Sequence, residues 1–137
     1  MKNISIVLFA AAIFAFIFSL GFYFFMMQPL QTHTFFASVR VTPQTVGFDV
    51  NGTALTFGYV SAGGSSVRRV LLENSYSFPI RVNSAAAGSI APFITVETPV
   101  IVEPHKSVYI PVLLNADLAE VSKNYNGTVS FTLLRAR

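Results

Sequence analysis

The two histidines of the chain are its first candidates for metal chemistry, and each stands alone. His33 and His105 have no second histidine and no carboxylate at ligand spacing on the same element. A zinc site needs several nitrogen, sulfur or oxygen ligands held together. The chain also has no cysteine, which removes thiolate ligands, disulfides and thiol nucleophiles. The sequence therefore predicts no metal site and no cofactor.

Serine and carboxylate chemistry is the second possibility. A hydrolytic serine usually lies in a Gly-x-Ser-x-Gly elbow between a strand and a helix. The nearest segment, Gly63-Gly64-Ser65-Ser66, lies between two predicted strands, and no Lys-Ser or Lys-Thr follows it to bind phosphate. The carboxylates fall on separate elements, at Asp49, Glu73, Glu97, Glu103, Asp117 and Glu120. We therefore predict no catalytic residue and no enzyme activity.

The charges are few and scattered. Nine basic and six acidic residues give a formal net charge of +3, and there is no tryptophan. Nucleic-acid binding usually shows clustered Lys and Arg with aromatic platforms, so we expect no nucleic-acid partner. The basic end at Arg135 and Arg137 is most simply a solvated terminus, with anionic lipid headgroups as the alternative.

The N-terminal region contains a long apolar run. Residues Ile4 to Met27 include no charged side chain and no proline. As a helix this run would be roughly 36 Å long, enough to cross a hydrocarbon core of about 30 Å. A cleavable signal has a shorter apolar stretch followed by a small-residue cleavage site. Here the apolar run is longer and is followed by Gln28-Pro29, where a helix would leave the membrane. We predict a retained transmembrane helix over residues 1–31, a linker and first strand over 32–44, and a domain over 45–137.

The orientation of this predicted helix depends on weak signals. Lys2 precedes it and Arg40 follows it, so the positive-inside rule barely discriminates. Two Asn-x-Thr sequons, at Asn51 and Asn126, favour an extracytoplasmic C-terminal domain and a possible N-linked glycan. We therefore expect a single-pass membrane protein whose C-terminal domain lies outside the cytoplasm.

Small and bulky side chains follow separate stripes along the apolar run. The small stripe consists of Ala11, Ala15 and Ser19, and the adjoining ridge of Phe14, Phe18 and Phe22. Stripes of small residues let helices approach closely in a membrane. The stripe predicts packing against other helices; the alternative is that these residues only meet the need for apolarity.

The remainder of the chain alternates apolar and polar residues in short runs, as strands of a sandwich do. The inward-facing sets are Val46/Phe48/Val50, Val70/Leu72, Phe78/Ile80/Val82, Val108/Ile110/Val112/Leu114 and Val129/Phe131/Leu133. Asn51-Gly52 predicts a hairpin into Leu55–Phe57, and residues 117–123 predict a short helical turn or loop. Pro111 has no N–H and predicts an edge strand. The fold class is therefore mainly β, a β-sandwich preceded by one transmembrane helix.

A charge-free segment between Arg81 and Glu97 is a candidate contact surface. Depletion of charge is typical of interface centres. We expect a loop there whose interface residues are Ala86, Ser89, Ile90 and Phe93. The alternative is a low-charge loop of a small domain.

Several short motifs from about Leu55 to Leu133 resemble the immunoglobulin-like sandwiches of the abnormal-spindle/hydin (ASH) and major-sperm-protein group. They are LTFGYV at 55–60, VLLEN at 70–74, FPI at 78–80, EPHKSV at 103–108 and YNGTV at 125–129. The resemblance implies an immunoglobulin-like fold and says little about ligands. The glycine that is common after the proline of the EPHKSV turn is replaced here by His105.

The overall plan, an apolar N-terminal helix before a β-sandwich, also resembles archaeal type IV pilins and the membrane-anchored accessory proteins of the archaellum. A pilin usually has a processing site before its helix, and Met1-Lys2-Asn3 offers none. The favoured function is a non-catalytic structural or adaptor subunit, with the lipid bilayer and other protein subunits, or the chain itself, as partners. The alternatives are a filament subunit with the helix in its core and a cytosol-facing adaptor.

Overall fold

The computed structural model describes residues 2–43 and 54–136, with side chains described from residue 4. One helix, α1 (Lys2–Met27), precedes the strands. The strands are β1 (Gln31–Thr42), β2 (Leu55–Ser61), β3 (Ser65–Glu73), β4 (Ile80–Gly88), β5 (Ile94–Val96), β6 (Val100–Val102), β7 (Ser107–Asn115) and β8 (Asn124–Arg135). A single 3₁₀ turn, Ala91–Phe93, leads into β5. The predicted hairpin at Asn51-Gly52 and the strand 46–50 lie outside the described residues.

The strands form two sheets. The long sheet has the order β2-β1-β8-β4-β6, and the short sheet has the order β3-β7-β5. Neighbours are antiparallel except β1 and β2, which run parallel. The chain changes from the short sheet to the long sheet between Val96 and Val100. The predicted fold class, a β-sandwich behind one apolar helix, is confirmed.

The alternation in the sequence decides which side chains fill the core. Val70 and Leu72 of β3 and Phe131 of β8 are buried, as are their neighbours Val112 and Leu114 of β7. Successive strand residues point to opposite faces, so every second residue enters the space between the sheets. Burial of one such side chain contributes about 1.5–3 kcal/mol. The inward faces predicted for β3, β7 and β8 are therefore confirmed.

Two predictions about the strands were wrong. Pro111 lies in β7, which is the central strand of the short sheet and not an edge. The proline is tolerated because β5 is short: its last registered pair is Val96 with Val112, so at Pro111 only β3 is still paired. The expected loop between Arg81 and Glu97 is mostly strand, since β4 continues to Gly88.

β4 and β8 approach each other closely where β4 ends, at Gly88. Gly88 pairs with Gly127, and Gly88 has a φ of 91°. A Cβ on Gly127 would collide with the carbonyl oxygen of Ala87 and would lie 2.8 Å from Cγ2 of the buried Ile90. The glycine inside the Asn126 sequon is therefore required by packing.

We expect Gly127→Ala to destabilise the domain by about 1–3 kcal/mol, because the added methyl meets backbone that cannot move aside. The matched control is Gly21→Ala in α1, where an added Cβ has no atom within 4 Å. Chemical denaturation of the full chain in detergent measures the difference. Equal transition midpoints for the two variants would show that the contact does not constrain the fold.

Candidate membrane anchor and contact surfaces

The helix α1 is not part of the sandwich core. Every side chain from Ile4 to Phe25 is exposed, and the most apolar part of the span Ile4–Met27 has no buried residue. The span is long and apolar enough to cross a membrane. The small stripe of Ala11, Ala15 and Ser19 and the ridge of Phe14, Phe18 and Phe22 are all exposed, so nothing within the described chain covers them. The helix offers its whole circumference to an outside environment.

The helix joins the sandwich through a short and bonded connection. Only residues 28–30 separate α1 from β1, and the Leu30 N–H donates to the Leu133 carbonyl at 2.8 Å. Gln31 then pairs with Leu133 as the first step of the ladder between β1 and β8. A notch of about 280 Å³ lies at this junction, between the last helical turn and Arg135. The end of the strands is thereby fixed beside the end of the helix.

This end of the sandwich, at which Gln31, Ile80, Val102 and Leu133 lie, is called the helix-side end below. Here the Arg135 guanidinium lies 4.0 Å from the centre of the Phe78 ring, and Phe78 stacks on Tyr76 with 5.1 Å between ring centres. Aromatic residues and cations with apolar stems are typical of membrane–water boundaries. The residue types at the helix-side end match the place that a membrane-crossing α1 would give them.

Asn74 is buried at the helix-side end and joins the two sheets. Its Nδ2 donates to the carbonyls of Phe78 at 2.9 Å, Val102 at 2.9 Å and Glu103 at 3.0 Å. Its Oδ1 accepts from the Tyr76 N–H at 3.0 Å, which forms a turn directly after β3. The amide therefore holds the end of β3, the entry to β4 and the end of β6 in one position.

We expect Asn74→Asp to destabilise the domain by at least about 2 kcal/mol. The introduced carboxylate keeps the shape of the side chain, but it cannot donate to three carbonyls and would remain as a buried, unpaired charge. The control is Asn124→Asp, at an exposed position at the start of β8. Thermal unfolding in detergent compares them, and equal melting temperatures would contradict the bridging role of Asn74.

The outer faces of the two sheets differ in chemistry. On the long sheet the outward residues of the neighbouring strands β1 and β8 are mostly Thr, Ser and Asn, and the Thr34 and Ser130 hydroxyls are 3.1 Å apart. The outer face of the short sheet is called the short-sheet face below. Its middle is formed by Val67, Arg69, Leu71, Thr95, Tyr109, Pro111 and Leu113, and the strand ends add the polar residues Ser65, Glu73, Ser107 and Asn115. The hydroxyl-rich face suits water, whereas the short-sheet face is mainly apolar.

The apolar side chains of the short-sheet face are adjacent in rows. Val67 pairs with Leu113, and Leu71 pairs with Tyr109. Their exposed fractions are 52% for Val67, 53% for Leu71, 65% for Tyr109 and 37% for Leu113. Contiguous exposed apolar patches of this kind mark interaction sites more often than scattered single residues do. The sequence already placed Tyr109, Pro111 and Leu113 on one side of β7, but only the pairing with β3 reveals a continuous surface.

Comparison of the chain with known protein families, with curated proteins and with solved structures gives no match. The resemblance to ASH and major-sperm-protein sandwiches, and the resemblance to pilins, therefore stay predictions from the sequence.

The four predicted interface residues do not form a common surface. Ile90 is fully buried, and Ala86 and Phe93 pack against the core, Phe93 with its ring edge-to-face to Tyr125 at 4.7 Å. Ser89 is exposed, and its hydroxyl bonds to the backbone of Asn126. At Ala86, Ile90 and Phe93 a charged side chain would lose its hydration against the core, whereas Ala85, Ala87 and Ser89 are exposed.

The other predicted sites are spread over the domain. His33 lies half-buried in β1, and His105 is exposed in a turn with a φ of 55°, the left-handed conformation for which the missing glycine is suited. Gly63 and Gly64 form the turn between β2 and β3. In residues 2–43 and 54–136, no group of three His, Asp or Glu side chains is placed to hold a metal ion. Asn126 is exposed on the outer face of the long sheet, and Asn51 lies outside the described residues.

The end of the sandwich opposite α1 carries an exposed loop, as predicted for residues 117–123. Leu118 is almost fully exposed there. Lys123 donates to the Glu120 carboxylate at 3.0 Å, and this hydrogen bond holds the pKa of Lys123 above its usual value. The pair is open to solvent, so it adds little to stability and serves no evident chemistry.

Proposed function

We propose that this chain is a non-catalytic structural or adaptor subunit, in which α1 crosses a membrane and fixes the sandwich for contact with other proteins. The observation that carries the proposal is the complete exposure of α1 together with its bonded connection to β1. A fully buried large apolar side chain gains about 1.5–3 kcal/mol. A helix with this many exposed apolar side chains requires a cover of lipid or protein, which the sandwich does not provide.

The helix-side end supports a position at the membrane surface. Tyr76, Phe78 and Arg135 gather where the helix meets the sandwich, with the guanidinium against the aromatic ring. Such residues place a polar or charged tip in water and an apolar stem towards lipid. We further propose that the sandwich lies outside the cytoplasm, since the sequon residue Asn126 is exposed and its side chain points away from the core.

Protein contact is favoured over catalysis by the surfaces that the domain presents. The short-sheet face is apolar and continuous, whereas the acidic and histidine side chains of the described residues form no cluster for acid–base or metal chemistry. Two arginines that are adjacent in sequence, Arg68 and Arg69, point to opposite sides of β3. The Arg68 Nε donates to the Thr56 carbonyl of the long sheet at 2.8 Å, and Arg69 lies on the short-sheet face. The domain therefore resembles a scaffold more than an active site.

The membrane role is tested with the full chain and a helix variant. We expect the wild-type chain to float with membranes and to resist carbonate extraction. Ile13→Arg combined with Ile17→Arg should move it to the soluble or aggregated fraction, because each arginine at the centre of a span costs about 2.5–3.5 kcal/mol. The matched control, Ile13→Leu with Ile17→Leu, should still float. A wild-type chain that carbonate releases would contradict the proposal.

Two further readouts separate the alternatives to this function. Loss of a glycan in Asn126→Gln would support an extracytoplasmic sandwich. A sandwich that protease digests only from the cytoplasmic side of the membrane would favour the cytosol-facing adaptor. Long polymers of the wild-type chain that persist without lipid would favour the filament subunit, with α1 covered by copies of itself.

A further inference from the structure

The short-sheet face carries Arg69 and Glu73 on β3, and Glu97 follows directly after β5 on the other side of β7. Arg69 of β3 pairs with Pro111. On the other side of β7, Val96 pairs with Val112, and Glu97 follows as the first residue after β5. Both Arg69 and Glu97 are exposed, and the alternation along β3 directs Arg69 to the outer face. One cation and one anion thus flank the middle of the central strand.

We propose that the short-sheet face binds the same face of a second copy of this chain, related by a two-fold axis along β7 near Pro111. This rotation lays β3 of each copy over β5 of the other. Arg69 then lies opposite the Glu97 of the second copy, and Glu97 opposite its Arg69. A two-fold interface is self-complementary in this way, because each contact occurs twice. Opposite charges across an interface fix its register and exclude other arrangements.

The apolar residues fit the same arrangement. β7 of one copy faces β7 of the other, so Tyr109, Pro111 and Leu113 lie along the axis, each near its own counterpart. Val67 lies over the Thr95 of the second copy, since both are at the level of Leu113. Sheets that pack face to face stay within about 30° of alignment and about 10 Å apart, a distance that interdigitating side chains fill.

The membrane selects this axis over the other two-fold axis that the face allows. A rotation about an axis across the strands, through Leu71 and Tyr109, would place Arg69 opposite the Glu73 of the second copy. The two helices would then emerge at opposite ends, because the strands run between the helix-side end and the far end. An axis along β7 leaves both helices on one side. This step rests on the proposed function, in which α1 lies in a membrane.

A second copy is favoured over an unrelated protein by this charge arrangement. The face supplies both members of each opposing pair, and among the described residues neither Arg69 nor Glu97 forms a salt bridge within the chain. Copies that share one membrane also meet at a high effective concentration. The outer face of the long sheet also has exposed apolar side chains, Phe36, Tyr59 and Ile101, but Thr, Ser and Asn predominate along its strands β1 and β8.

Charge reversal in the full chain, in mild detergent and in lipid nanodiscs, tests the axis. We expect Arg69→Glu and Glu97→Arg each to weaken dimerisation at least tenfold, and the double reversal R69E/E97R to restore it. The comparison variant R69E/E73R should stay weakened. Arg81→Glu, on the outer face of the long sheet, should dimerise as wild type does. Light scattering after size exclusion measures the dimer, and thermal unfolding shows that each variant is folded.

The absence of cysteine allows a second measurement on the same chain. Leu113→Cys should join two copies through a short bismaleimide, whereas Ser130→Cys, on the long sheet, should not. Rescue by R69E/E73R in place of R69E/E97R would overturn the proposed axis. A wild-type chain that floats with membranes but stays monomeric would overturn the dimer and leave the membrane function intact, whereas a failure to float would overturn the function itself.

Discussion

The ladder between β1 and β8 is the interaction on which the rest of the structure depends. It pairs Gln31 through Arg40 with Leu133 through Asn124, and so joins the first strand after the helix to the last strand of the chain. β8 also pairs with β4 on its other side, which makes it the centre of the long sheet. The long sheet is therefore incomplete until β8 is in place, and its pairing with β1 closes residues 31–133 into one loop.

The same ladder joins the domain to the helix. Since the Leu30 N–H already bonds to Leu133, only residues 28 and 29 lie between α1 and the paired strands. At the helix-side end, the side-chain amide of Asn74, which follows β3 of the short sheet, donates to the Val102 carbonyl of β6 in the long sheet. Both sheets are thereby bonded to each other at the end where α1 joins the domain.

Sequence patterns predicted the local parts of this structure well and the non-local parts poorly. Alternation along β3, β7 and β8 identified the strands and their inward faces, because the period of two is a property of each strand alone. The role of Pro111 depended on the length of β5, and the burial of Ile90 depended on the close approach of Gly88 and Gly127. The apolar helix was evident from composition, whereas the short-sheet face required knowledge of which strand lies beside which. Neither strand alone shows that Leu71 and Tyr109 are neighbours.

The two outer faces of the domain present different chemistry to their surroundings. Along β1 and β8 the outer face of the long sheet presents hydroxyl groups that can hydrogen-bond to water. The exposed Asn126 lies on the same face, so a glycan there would project away from the short-sheet face. On the short sheet, apolar residues take every outward position of β7 between Ser107 and Asn115. Association through that face therefore leaves the hydrated face unchanged. Because each face belongs to a different sheet, substitution on one can alter contact without altering the pairing that holds the other to the helix.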